Sequence, residues 1–107
     1  MNLEYVVIGS LYWKIFWDKD IVDAIGLCHF DTQEIWIQRD LNPISQKHVF
    51  LHELLHAIWY SYNLTPRKSE LEEDIVSVMT VALLQVLKDN NKVASYLAEK
   101  SIGYENL

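Results

Sequence analysis

From Ile44 to Tyr62 the chain contains neither glycine nor proline. Asn42-Pro43 stands ahead of this run as an N-cap side chain followed by a proline suited to a first helical turn, and Pro66 lies beyond its end. Ile44, Leu51, Leu55, Ile58 and Tyr62 recur inside it at helical spacing. A helix over 43–62 is therefore expected, about 30 Å long at 1.5 Å per residue, which is the diameter of a small domain. The other elements of a 107-residue chain have to pack against this one rod, and a single domain over 1–107 follows.

The segment before the helix, 1–40, reads as strands. Leu11, Trp13, Ile15 and Trp17 alternate with Tyr12, Lys14, Phe16 and Asp18 in a period of two. Ile25–Phe30 and Glu34–Gln38 flank Asp31-Thr32-Gln33 and suit a hairpin, and Tyr5–Ile8 is a further short strand. After the break at 63–67, Ser69-Glu70-Leu71-Glu72 has the form of a capping box and opens a second helix over 69–88. A short terminal helix is expected over 92–101. Strands first and helices second give an α+β chain. Three or four strands, antiparallel or mixed, pack on the first helix, and the second helix returns antiparallel to it.

Within the first helix lies His52-Glu53-Leu54-Leu55-His56. Residues four apart sit one turn up on nearly the same face, so two imidazoles point the same way. Two nitrogen ligands of one tetrahedral zinc need that arrangement, at about 2.0–2.1 Å each. Glu53, beside His52, is placed to reach a metal-bound water without being a ligand and to act as general base. With 4 His and 8 Glu in the chain, His-Glu-x-x-His arises by chance about 0.01 times per chain of this composition. A polar helix face carrying these residues without purpose is thus the weaker reading. His48 precedes His52 by four, but His48 and His56 are about 12 Å apart along the axis and cannot share one ion, so His48 is read as an exposed or supporting residue. His29 is read as a strand histidine, packed or on the surface.

A catalytic zinc site needs a third protein ligand and an open position for water. Glu70, Glu72, Glu73 and Asp74 are the candidates, and most of them are explained by the preference for negative charge in a helix's first turn. His56 is about 9 Å from the end of the first helix and Glu73 about 6 Å into the second. Helices pack about 8–10 Å apart, so a glutamate at that level reaches the metal. Glu73 is expected as the ligand, on a stripe with Val76, Ser77, Thr80 and Leu84, with Ser77 as a supporting hydrogen-bond partner. Glu72 is the alternative. It lies about 100° away round the helix, and its expected role is the capping box of Ser69, worth about 1 kcal/mol.

Composition narrows the function classes. Nine Lys and Arg against fifteen Asp and Glu give a net charge of −6, which argues against nucleic acid and anionic membranes as partners. The one cysteine, Cys28, excludes an intrachain disulfide and cysteine-based zinc ribbons. The start of the chain lacks a basic targeting segment and no apolar stretch approaches a membrane span, so a cytoplasmic protein is expected.

With His52-Glu53-x-x-His56 and Glu72-Glu73-Asp74-Ile75-Val76, the chain resembles the zincin-type metallopeptidases of the glutamate-ligand (gluzincin) group. The run Leu51 to Tyr60, the acidic Glu-Glu-x-Ile-Val and Leu87-Lys-Asp-Asn90 look more closely like the small HExxH proteins encoded by phages and prophages. The resemblance covers about residues 48–91. It implies a twisted sheet over the HExxH helix, zinc at the junction, peptide binding along a sheet edge, and a host cytoplasm as the setting. The chain departs from larger members in having no second lobe to wall a substrate cleft. It also has no single evident oxyanion donor, since Tyr60, Tyr62, Tyr96 and Tyr104 are all candidates.

Two functions follow as expectations. In the first, zinc on His52, His56 and Glu73 activates water, Glu53 is the base, and the substrate is a peptide bond in a specific protein. In the second, the metal only stabilises a module that binds a host factor, with Trp36 and Tyr12 as anchors. Retention of Glu53 favours the first, because a structural site has no use for a carboxylate there.

Overall fold

The computed structural model describes residues 3–99. Four strands, β1 (Tyr5–Ile8), β2 (Leu11–Lys19), β3 (Gly26–His29) and β4 (Glu34–Gln38), precede three helices, α1 (Pro43–Ser61), α2 (Glu70–Asp89) and α3 (Val93–Ala98). The α+β order read from the sequence is the order found. Helix α1 is capped as expected, with Asn42 Oδ1 accepting from the N–H of Ser45 at 2.8 Å and Pro43 in the first turn. The last residues of the span expected for the terminal helix lie outside the described residues.

The sheet is mixed, in the order β1-β2-β4-β3. β1 and β2 form a hairpin across Gly9, whose φ of 61° suits a residue without Cβ. β3 and β4 are antiparallel, pairing Cys28 with Ile35, as the turn residues between them indicate. β4 then inserts between β3 and β2 and runs parallel to β2, with Ile15 opposite Ile35. That insertion makes β3 an edge strand of the sheet.

Period two decides the faces. Trp13 and Ile15 of β2 and Ile35 and Ile37 of β4 point to one side and are buried, together with Ile8. Val49 and Ala57 of α1 complete this core. Trp13 also donates its indole N–H to Ser61 Oγ at 3.2 Å, tying β2 to the end of α1. The most buried residues of α1 are Val49, Glu53 and Ala57; of the row Ile44, Leu51, Leu55, Ile58 and Tyr62, Ile58 packs against the same core while the two ends do not. Ile44 is 80% and Tyr62 61% exposed. The helix is apolar on more than one face, so spacing alone does not choose between them. Close approach to the sheet does, and small side chains such as Ala57 permit it.

Helix α2 packs on α1 through Glu72, Val76 and Thr80, residues four apart. Leu71, Ile75, Val78 and Met79 on its other side are exposed. No helix among the described residues is long and apolar enough to cross a membrane.

Gly26 on β3 sets the distance between α1 and the sheet edge. A Cβ there would lie 2.6 Å from Val49 Cγ1 and 2.9 Å from both Cγ and Oε2 of Glu53. Gly26→Ala is therefore expected to push α1 off the edge strand and cost about 1–3 kcal/mol, the range for overpacking a filled interior. Urea unfolding of the two proteins measures it. A variant as stable as the parent would show that this contact is not tight.

Candidate metal centre

Helix α1 places His52 and His56 one turn apart, with their Nε2 atoms 3.2 Å from each other. Glu73 of α2 reaches across to both: its Oε1 is 2.9 Å from His52 Nε2 and its Oε2 2.9 Å from His56 Nε2. One donor atom from each of the three residues falls within 4.8 Å of the others. Ligand atoms at tetrahedral angles around one zinc lie about 3.3 Å apart, given bonds of about 2.0–2.1 Å. The donor set is thus already spaced for such an ion. Ser77, one turn on, stands 3.4 Å from Glu73 Oε1 as an outer hydrogen-bond donor. The three residues singled out in the sequence as ligands are brought together.

Glu72 behaves differently from its expected role. Ser69 does cap α2, its Oγ accepting the N–H of Glu72 at 3.2 Å. The Glu72 carboxylate makes other bonds. Oε1 accepts the N–H of Lys68 at 2.6 Å, and Oε2 lies 2.6 Å from His56 Nδ1. Glu72 and Glu73 therefore grip the two nitrogens of one ring. The expectation that they face separate partners overlooked the width of an imidazole, whose nitrogens open to different edges. A proton held on Nδ1 by Glu72 would leave Nε2 of His56 to offer its lone pair on the side of His52 and Glu73, the tautomer a metal requires. Glu72 is the residue whose contacts differ from those expected of it. The signal available was its place in the stripe Glu72-Val76-Thr80, which is the buried face of α2. Glu73 flanks that stripe, with its side chain 54% exposed.

Burial holds the pKa of His52 below its ordinary value, against the opposing pull of Glu73. That shift favours the neutral ring, the form whose lone pair a ligand bond needs. Glu53 is buried at the foot of the site against Gly26. Burial pushes its pKa up to about 7, with His56 lowering it and Glu73 raising it further. It forms no ion pair among the described residues. A depression of about 330 Å³ exposes His52, Glu53, His56 and Glu73 together, with β3 residues Gly26–Cys28 along one side. Burial, with Glu53 and Glu72 close by, pushes the Cys28 thiol up, so it is an inert wall of this depression.

The remaining candidates stand apart from the donors. His48 is exposed and lines a neighbouring hollow with His52 and Glu53. His29 lies against Trp36, ring centroids 4.2 Å apart, on the sheet. Trp36 is held by Glu34, Phe16 and Lys19, while Tyr12 is 69% exposed. Among the oxyanion candidates, Tyr60 stacks on Phe30, Tyr62 and Tyr96 are exposed, and Tyr104 lies outside the described residues. Glu70 and Asp74 are exposed and outside the donor group.

No family model matches the chain, and no curated protein or solved structure matches it.

In metal-free protein, Glu53 gives a signed pH dependence. Below about 4.5 its carboxyl is protonated whether the chain is folded or not. Between 4.5 and about 7 the unfolded chain ionises while the folded one does not, so stability falls as pH rises. Above about 7 the full penalty is present, on the order of 3 kcal/mol. Glu53→Gln is expected to gain stability over the parent between pH 4.5 and 7 and to keep that gain at pH 8. Urea titrations in EDTA at pH 5 and pH 8 check this. An equal difference at both pH values would contradict it.

Proposed function

We propose that the protein is a zinc-dependent peptidase acting on a peptide bond in a specific protein partner. The observation that carries this reading is Glu53. It is a buried carboxylate that lines the same depression as three converged metal donors without being one of them. A structural metal site needs no such group, and a general base near neutrality does.

His52, His56 and Glu73 would hold the ion, and a zinc bound there would supply Lewis acidity and a water acidic enough to ionise near neutral pH. Glu72 keeps the proton of His56 on Nδ1 and fixes the ring's orientation. Glu53, facing the same depression, accepts a proton from water as it attacks the carbonyl carbon, then delivers that proton to the departing amine nitrogen. Gly26 leaves room for the Glu53 side chain beneath the edge strand. A second reading, a metal-stabilised module that binds a host factor, is favoured by the exposed apolar row Leu71, Ile75 and Val78 on α2.

Glu53→Gln separates the two. The parent is expected to carry about one zinc per chain and to cleave members of a mixed-sequence fluorogenic peptide pool. Glu53→Gln should keep its zinc and lose cleavage by about 10²- to 10⁴-fold, the usual contribution of a general base. A zinc-loaded parent that cleaves nothing in the pool or in host lysate would favour the binding module.

The two carboxylates on His56 are distinguished by zinc affinity, measured against a competing chelator. Glu73→Ala removes a ligand and should weaken binding most. Glu72→Ala should weaken it about 10- to 100-fold, as the loss of a hydrogen-bond partner behind a ligand does. Unchanged affinity in Glu72→Ala would mean that the Nδ1 contact contributes nothing to the site.

A further inference from the structure

Beside the depression lies a second pocket of about 420 Å³ that shares Phe30, Lys68 and Glu72 with it. Its wall is an aromatic pair, Phe30 stacked on Tyr60 with centroids 4.8 Å apart and planes 8° from parallel. Two cations stand on this pair. Lys68 Nζ is 4.9 Å from the Phe30 centroid, and Arg67 Cζ is 5.5 Å from that of Tyr60. Neither has a carboxylate within ion-pair distance among the described residues. In a chain of net charge −6, two adjacent unpaired cations at one pocket call for a reason.

The acidic groups nearby do not supply one. Both oxygens of Glu72 are taken by the N–H of Lys68 and by His56, and Asp31, exposed and lining the same pocket as the two exposed cations, forms no ion pair with either. The turn carrying the cations is pinned at both ends. Trp59 donates its indole N–H to the carbonyl of Pro66 at 3.0 Å, and Lys68, in a left-handed conformation with φ 53°, gives its own N–H to Glu72. The cationic heads are therefore set over aromatic faces rather than left on free tails.

We propose that this pocket is a carboxylate-binding subsite, in which Arg67 and Lys68 receive an acidic group of the substrate while the scissile bond lies over His52, His56 and Glu73. This rests on the peptidase reading of the adjoining centre. A singly charged carboxylate fits better than a doubly charged phosphate, because Asp31 and Glu72 line the pocket itself and Glu53 and Glu73 line the adjoining depression. In a polypeptide that carboxylate is an aspartate or glutamate side chain or the chain's own C-terminus.

Three peptide hydroxamates of one length test this on zinc-loaded protein by calorimetry. One carries glutamate near the hydroxamate and an amidated end. One carries glutamine there and a free C-terminal carboxylate. The third has glutamine and an amidated end. The first or the second should bind about tenfold or more tightly than the third, and which of them does so names the source of the carboxylate. Arg67→Gln and Lys68→Gln should each reduce that preference, while leaving binding of the third peptide unchanged as a control for folding. Equal binding of all three, or a preference that survives both substitutions, overturns the subsite alone. If none of the three binds, the accessible metal centre fails and the subsite with it.

Discussion

One imidazole ring joins the two long helices. Glu72 is almost fully buried, and a carboxylate taken out of water is costly unless its oxygens are matched by donors. His56 supplies one donor and the N–H of Lys68 the other, so the buried charge is satisfied by one group from α1 and one from the turn before α2. Hydrogen bonds to charged groups contribute about 1.5–3 kcal/mol each, against about 1 for a neutral pair. Removing either partner would leave the carboxylate stranded. The same bond fits the rotation of α2 that buries Val76 and Thr80, and in that rotation Glu73 meets the other nitrogen of the ring. Val76 and Thr80 continue the same buried stripe, so helix packing and donor geometry share one face of α2.

Glu53 shows the opposite relation. Its burial against Gly26 lowers the stability of the metal-free chain at neutral pH. An apolar residue of similar shape would pack there at lower cost, and the proposed role as general base accounts for a carboxylate in its place. The stripe Val49-Glu53-Ala57 makes this plain, since two core side chains flank one carboxylate on the face that meets the sheet.

Much of this was legible in the chain. Period two across Leu11–Asp18 and the turn residues Asp31–Gln33 gave the strands, while Asn42-Pro43 and Ser69 gave both helix starts. The motif His52-Glu53-x-x-His56 fixes two donors through helical geometry alone, which is local and needs no tertiary information. Three things were not legible. The parallel pairing of β2 with β4 depends on which strand occupies the centre of the sheet, and each strand's pattern is compatible with more than one neighbour. The face α1 turns to the sheet depends on the size of side chains on the opposing strand, with Gly26 deciding the closest approach. The division of work between Glu72 and Glu73 depends on a ring that accepts partners on two edges, and an angle measured round a helix does not contain that.

Under the proposed function, the position of β3 limits how much of a partner could be read. As an edge strand it offers an open row of backbone N–H and C=O groups beside the depression, but the strand is only four residues long. At about 3.3 Å per residue that is roughly 13 Å of template. An extended chain laid along it would be registered over about four residues, too few to distinguish one sequence from many. Selectivity would then come from shape beyond the strand, and a loop presented on the surface of a folded protein suits so short a ruler better than a long unfolded chain does.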